Sequence, residues 1–502
     1  MSCSKIFSGE LPELTYDILK YFKNDFSTLY SCILVNKLWC RLAIPLLWEN
    51  PFSNPTGNYN FIEIYLHNLN EDLKTELNEY RIEDNLFPSN TLFNYPSFIK
   101  YLNTWKIITS TCKWSKDAKK IMKPEKRFSY DIEIFERLIQ ILLFKLFINN
   151  ETNLHTLEIE IYYNWNSHFD SILELILQNP NFIHNIKNLN FYIHSYPNSS
   201  NKYMIAKNHI LQLINLHQNL KKIFLSGYED FLSYQSLLLT KDYNYKIFDQ
   251  LKVLESVHLI CCRSLNTSFN QQIINLNRPF KLKTLIIDDI TQIDVASFQL
   301  LLQKCGGYLE NFGCKFGVHN ELLLESIIKY CKNIKSFYLF KYENQIIYLL
   351  FDLIENLKQS LNYLTIQITN WENNIGYNSI ILQNLGQILP FKLEYLDLYL
   401  HFKMSDFEVF LKNSQDTFIN KLLISNLEGD DILSYIKEYI MKKKRVKYLS
   451  IKDFFENPDV DGYYDYKELV SLKDEVEEFK LYDIKVQSHD DLIISFYKLI
   501  RD

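Results

Sequence analysis

Glycine is scarce in this chain of 502 residues, at 11, and proline is nearly as rare, at 12. So few glycines leave little room for loops that wrap a phosphate in backbone amides, and neither GxGxxG nor GxxxxGK[ST] occurs. HExxH and GxSxG are missing too, and histidines and cysteines never fall at zinc-ligand spacing. The nine cysteines form no CxxC pair, which fits a reducing compartment better than a disulfide framework. Asp459-Val460-Asp461-Gly462 looks calcium-like, but its glycine stands at the fourth position where an EF-hand loop needs it at the sixth. No catalytic residue, metal ligand or cofactor is expected.

Charge of one sign is also lacking. A net charge of −6 gives no global pull toward nucleic acid or acidic membranes. The most apolar run, 141–148, contains a lysine and is far too short to span a bilayer. No basic segment followed by an apolar one opens the chain, so a cytoplasmic or nuclear protein is expected, without nucleic-acid or membrane partners. The basic run Lys113–Arg127 reads as a solvated loop. Lys442-Lys443-Lys444-Arg445 reads either as a nuclear-import signal or as cations favoured in the last turn of a helix.

What is abundant is aromatic surface, with 35 tyrosines and 35 phenylalanines, inside a composition of 47% hydrophobic and 23% charged residues. That is a folding chain, long enough for several units or a repeat array.

At the amino-terminal end, Pro12 suits the first turn of a helix in which Leu14, Ile18 and Phe22 recur every four residues. Asp25 can cap a second helix carrying Leu29, Cys32 and Ile33, and Asn36 a third carrying Leu38, Leu42 and Leu46, with Pro45 at its end. Leu34, Val35, Trp39, Leu47 and Trp48 exceed what so small a core can hide. That surplus implies a partner face.

The order Leu11-Pro12-Glu13-Leu14, then Ile18-Leu19, then Leu34-Val35-Asn36-Lys37-Leu38-Trp39, closed by Trp48, resembles an F-box. F-boxes dock proteins on the small adaptor subunit of SCF-type cullin–RING ubiquitin ligases. The resemblance implies adaptor contacts from Leu11, Pro12, Leu14, Ile18, Leu19, Leu34, Val35, Lys37 and Trp39. Asn36 departs from the usual cysteine or serine at the junction. A plain three-helix cap without a partner is the alternative.

After the F-box (8–50), a helical stem (51–130) is expected, with helices over Tyr59–Leu69, Asp72–Tyr80 and Ser97–Ile108. From Leu154 onward apolar residues recur at the first, fourth and sixth positions of a short window. The windows begin at Leu154, Ile186, Leu220, Leu254, Leu282, Leu309, Ile334, Leu361, Leu393, Ile419, Val446 and Val476, 25 to 34 residues apart. Each ends in a period-two pair, the mark of a half-buried strand, and helical segments such as Val295–Lys304 and Ile346–Leu357 lie between. Such units must stack to bury their faces. The result resembles a degenerate leucine-rich-repeat horseshoe, an α/β solenoid over 131–502, with Asp490–Ile500 as a terminal helix. A globular α/β domain is the alternative.

The implied function is that of a non-enzymatic substrate receptor, which binds the adaptor, and through it the cullin and RING subunits, while the repeats hold a target protein. Two readings stay open beside it: a non-degradative scaffold and a small-ligand receptor. The third, fifth and seventh residues of each window face away from the core, which nominates Tyr338, Phe340, Tyr363, Tyr395, Asp397 and Tyr399 as an exposed target-binding patch.

Overall fold

Parallel strands cannot be joined by a tight turn, so a chain that repeats strand and helix at this spacing lays each strand beside the last through a helical crossover. The computed structural model follows that logic and describes residues 11–23, 25–53, 59–78, 91–118, 129–150, 152–161, 167–193, 200–216, 219–227, 248, 251–262, 267–287, 294–315, 321–341, 346–367, 375–426, 432–456 and 464–494. The fold is mixed α/β, with open and mostly parallel sheet. Compactness divides the chain elsewhere than at 130/131. One unit comprises Met1–Phe231 and Thr240–Glu255, the other Leu232–Leu239 and Ser256–Asp502. Among the described residues, no helix is long and apolar enough to cross a membrane.

The first unit opens with helices α1 (Pro12–Lys20), α2 (Phe26–Ile33) and α3 (Lys37–Leu47), followed by the helices Phe61–His67, Glu71–Asn78, Thr104–Ala118 and Ser129–Asn149. Its parallel strands are β1 (Tyr101–Asn103), β2 (Thr156–Ile161), β3 (Asn188–Ile193) and β4 (Lys222–Gly227). Strand β1 lies where the sequence predicted helix. Three residues are too few for a period-two pattern to register, and Tyr101 and Asn103 pair with Thr156 and Glu158. Residues 113–118 of that basic run, Lys113 and Lys116 among them, sit in the Thr104–Ala118 helix and not in a loop; residues 119–127 lie outside the described residues.

A staircase of backbone bonds ties this unit together. The Glu49 carbonyl accepts from the amides of Lys100 and Tyr101, Lys100 in turn from His155, His155 from Lys187, and Lys187 from Lys221. Glu49 and Lys100 also form an ion pair. The three-helix motif is therefore bonded directly to the first rung of the strand ladder. Trp48 adds to the join, its ring 5.3 Å from Tyr65 and 4.3 Å from Tyr95.

In the second unit β5 (Ser256–Cys262), β6 (Leu282–Ile287), β7 (Asn311–Lys315), β8 (Ser336–Lys341), β9 (Tyr363–Gln367), β10 (Lys392–Leu400), β11 (Phe418–Asn426) and β12 (Val446–Glu456) run parallel in sequence order. Strand β13 (Tyr464–Glu468) pairs antiparallel with the second half of β12, and β14 (Lys485–Val486) pairs with its first half. A right-handed crossover that advances always in one direction puts its helix on the same face as the last, and the helices Val295–Cys305, Glu321–Tyr330, Ile347–Asn356, Ile375–Ile388 and Met404–Asn413 pack in series. Helix Val295–Cys305 is capped by Asp294, which accepts from the Ser297 amide, and buries Phe298, Leu301, Leu302 and Cys305 at helical spacing. The strands bury Leu364, Ile366, Leu396, Leu398, Leu422 and Ile424 completely.

The first eleven windows coincide with β2 to β12. The twelfth does not, because Val476 and Phe479 are one helical turn apart within the helix Lys473–Lys480, and Leu481 is exposed. The terminal helix is a single turn, His489–Leu492, and residues beyond 494 lie outside the described residues. Arg445 is buried. Its guanidinium donates to the carbonyls of Thr417, Leu411, Tyr439 and Ser414, so this member of the basic cluster satisfies carbonyls around the end of the helix Met404–Asn413 inside the fold.

Candidate functional site

In the three-helix motif the caps form where the residue types demand. The Asp25 carboxylate accepts from the Thr28 amide and hydroxyl, bonds that lower its pKa, and the Asn36 side chain accepts from the Trp39 amide. Proline starts α1 as expected, but Pro45 lies inside α3, which runs on to Leu47. The core is Leu19, Leu29, Cys32, Trp39, Ala43 and Leu46.

This phase divides the predicted adaptor residues. Leu19 at 0% exposure and Trp39 at 8% are core and are corrected to that role. The reason is the turn of α1. Thr15 and Leu19, four apart, face inward, with the Thr15 hydroxyl satisfied by the Leu11 carbonyl, and Leu14 and Ile18 fall on the flank. Leu34 is 74% exposed, Val35 49% and Leu14 40%; Lys37 is exposed, and Leu11, Pro12 and Ile18 are half-buried. Leu34 and Val35 occupy the junction of α2 and α3, directly before the Asn36 cap, where no helix turn draws them inward.

In the second unit, register places the predicted target residues in rows across the strands. One row runs Ser336, Tyr363, Tyr395, Lys421, Tyr448; the next runs Tyr338, Thr365, Asp397, Leu423, Ser450. The rings of Tyr363 and Tyr395 lie 6.4 Å apart. Tyr399 is half-buried and meets Phe454 at 5.6 Å, while Phe340 is half-buried at the end of β8.

The expectation of an exposed patch fails at three of these residues. Tyr338, Tyr395 and Asp397 are buried, the last two at 1% exposure. At Tyr395 and Asp397 the cover is the chain's own carboxyl-terminal segment. After β14, Gln487 donates to the Leu449 carbonyl, Ser488 caps the turn His489–Leu492, and the chain crosses onto β11 and β10. Leu492 packs with Tyr395 and Leu423, and Tyr363, Tyr448, Ile493 and Ile494 close around them.

The Asp397 carboxylate accepts from the Tyr395 hydroxyl at 3.3 Å and from Gln367 at 3.4 Å through one oxygen. Its other oxygen, Oδ1, lies 3.9 Å from Nε2 of His489. Burial, and then the Asp397 charge, push the Tyr395 phenol far above its ordinary pKa, so it remains a protonated donor. Burial does the same to Tyr338.

Sequence reasoning missed this cover. Its signals were the capping box Ser488-x-x-Asp491 and the apolar Leu492-Ile493-Ile494 after it. Among the described residues, no group of three or more His, Cys, Asp or Glu is placed to hold a metal ion. No protein-family model matches this chain, and no curated protein is similar enough to it to assign a family.

Proposed function

We propose that the chain is a substrate-recognition subunit of an SCF-type cullin–RING ubiquitin ligase, with α1–α3 as the F-box. The strand–helix repeats then read as a leucine-rich-repeat-like solenoid that presents the target. The observation that carries this reading is the exposure of Leu34 and Val35 at the α2–α3 junction, with Leu14 of the same motif exposed on α1, above a core that needs none of them. Exposed aliphatic side chains grouped on a capped helical junction are a docking surface in search of an apolar partner. The chain supplies positioning, and ubiquitin transfer follows from proximity.

Affinity purification of the full chain with ligase activity blocked tests the reading. Recovery of adaptor, cullin and RING subunits together supports it. Adaptor alone points to the non-degradative scaffold, and absence of all three overturns both.

A further inference from the structure

We propose that Ser488–Ile494 is a displaceable strap that occupies, in cis, a peptide-docking surface formed by Tyr363, Tyr395, Asp397 and Leu423. The partner that fits this surface carries a lysine or arginine where the strap has His489, and a leucine three residues later on the same helical turn. The inference deepens the reading of the second unit as a target receptor and rests on it.

The strap defines what the surface accepts. An aliphatic side chain enters between Tyr395 and Leu423, where Leu492 is buried. A backbone amide two residues on donates to the Tyr395 hydroxyl, as Ile494 does at 3.4 Å. A third feature is unfulfilled. Oδ1 of Asp397 and Nε2 of His489 are both buried, and neither has a hydrogen-bond partner among the described residues. Their 3.9 Å separation exceeds hydrogen-bond length by about an ångström.

A buried carboxylate oxygen left without a donor is costly, and removing that cost rewards any occupant that reaches it. Lysine and arginine have longer stems than histidine and donate charge-assisted bonds to carboxylates. Ser425 and Ser450, on the same face, also have hydroxyls with no partner among the described residues. The strap therefore holds by one buried leucine, the half-buried Ile493 and Ile494, and a few long polar contacts. It fits the surface imperfectly, as a segment that must be exchanged should.

The test uses the full chain and a fluorescent peptide of residues 488–494, in native and H489K versions, read by anisotropy. Opening the strap with L492D/I494D is expected to raise affinity for the H489K peptide at least ~10-fold over the wild-type chain. The native peptide should bind the opened chain more weakly than the H489K peptide, and adding D397N should erase that difference. Equal binding to closed and opened chains overturns the proposal, as does no binding to either or a lysine preference that survives D397N. If the opened variant fails to fold, full-chain H489K decides. It is expected to raise the melting temperature and weaken peptide capture; a lowered melting temperature overturns the proposal. No adaptor or ligase component enters, so failure here leaves the ligase reading standing, and failure of adaptor binding leaves the strap measurement intact.

Discussion

The hydroxyl of Tyr395 accepts from the amide of Ile494, 99 residues further along the chain, at 3.4 Å and donates to Asp397 at 3.3 Å. One phenol thus links strand β10 to the segment that crosses over it. Tyr395→Phe removes the link but keeps the ring. It leaves a part-buried amide and a buried carboxylate each short of a partner, at a cost of about 1–2 kcal/mol. Faster amide exchange at Leu492–Ile494, with unchanged protection in β5–β9, is the expected result.

Arg445 buries a guanidinium among four backbone carbonyls. Arg445→Met should destabilise the second unit by about 3 kcal/mol, because those carbonyls lose charge-assisted donors in a place water does not reach. Arg445→Lys should recover only part of the loss, since one ammonium cannot match a fork that reaches several acceptors. Urea denaturation of the three full chains ranks them.

At Gly386 a methyl group would lie 2.7 Å from the Phe410 carbonyl oxygen and 3.0 Å from the Ser414 amide nitrogen, both backbone atoms. Alanine gains helix propensity of about 1 kcal/mol, but it forces apart the helices Ile375–Ile388 and Met404–Asn413. We expect Gly386→Ala to lower stability by about 1–2 kcal/mol net and to lower the melting temperature. An unchanged or raised melting temperature would show that the two helices separate freely.

Burial pushes the thiol of Cys331 up to about 12 and those of Cys305 and Cys314 well above their ordinary 9.0, while Tyr338 and Tyr395 rise above 10.0. Raised acids hold their protons in the folded state, so their contribution is whole below the unfolded pKa and shrinks as pH climbs past it. Stability should begin to fall near pH 9 and fall more steeply above 10. Each such thiol should also resist alkylation at pH 8 until denaturant is added. Prompt labelling of Cys305 or Cys331 in the native chain would contradict the packing described.

The eleven strands of the regular array were legible because an apolar pair two residues apart, one face inward, has no other economical conformation. The caps at Asp25 and Asn36 were legible because their bonds are local. Other features were not, three of them at the candidate site or its support. Strand β1 exists through its pairing with Thr156–Glu158, a tertiary partner that three residues cannot announce. The motif assigns Leu19 and Trp39 to the partner face because it names positions without the helix phase that decides which side is inside. Tyr395 and Asp397 were placed in the open because alternation tells which face a side chain takes but not what later crosses that face. The first and the last of these depend on contacts far apart in sequence, the second on helix phase.

We propose that exposed residues at the α2–α3 junction bind the SCF adaptor, and titration with purified adaptor tests it. Purified adaptor is titrated against the full chain and against its L34E/V35E variant, with thermal melting of both. Because Leu34 and Val35 are exposed, the substitutions should change stability by no more than about 0.5 kcal/mol. Losing interface anchors should weaken adaptor binding by ~2 kcal/mol or more, about 30-fold. Adaptor binding by the wild-type chain and its loss in a variant that melts normally is the predicted result. Undiminished binding by the variant, or no binding by the wild-type chain, contradicts the account.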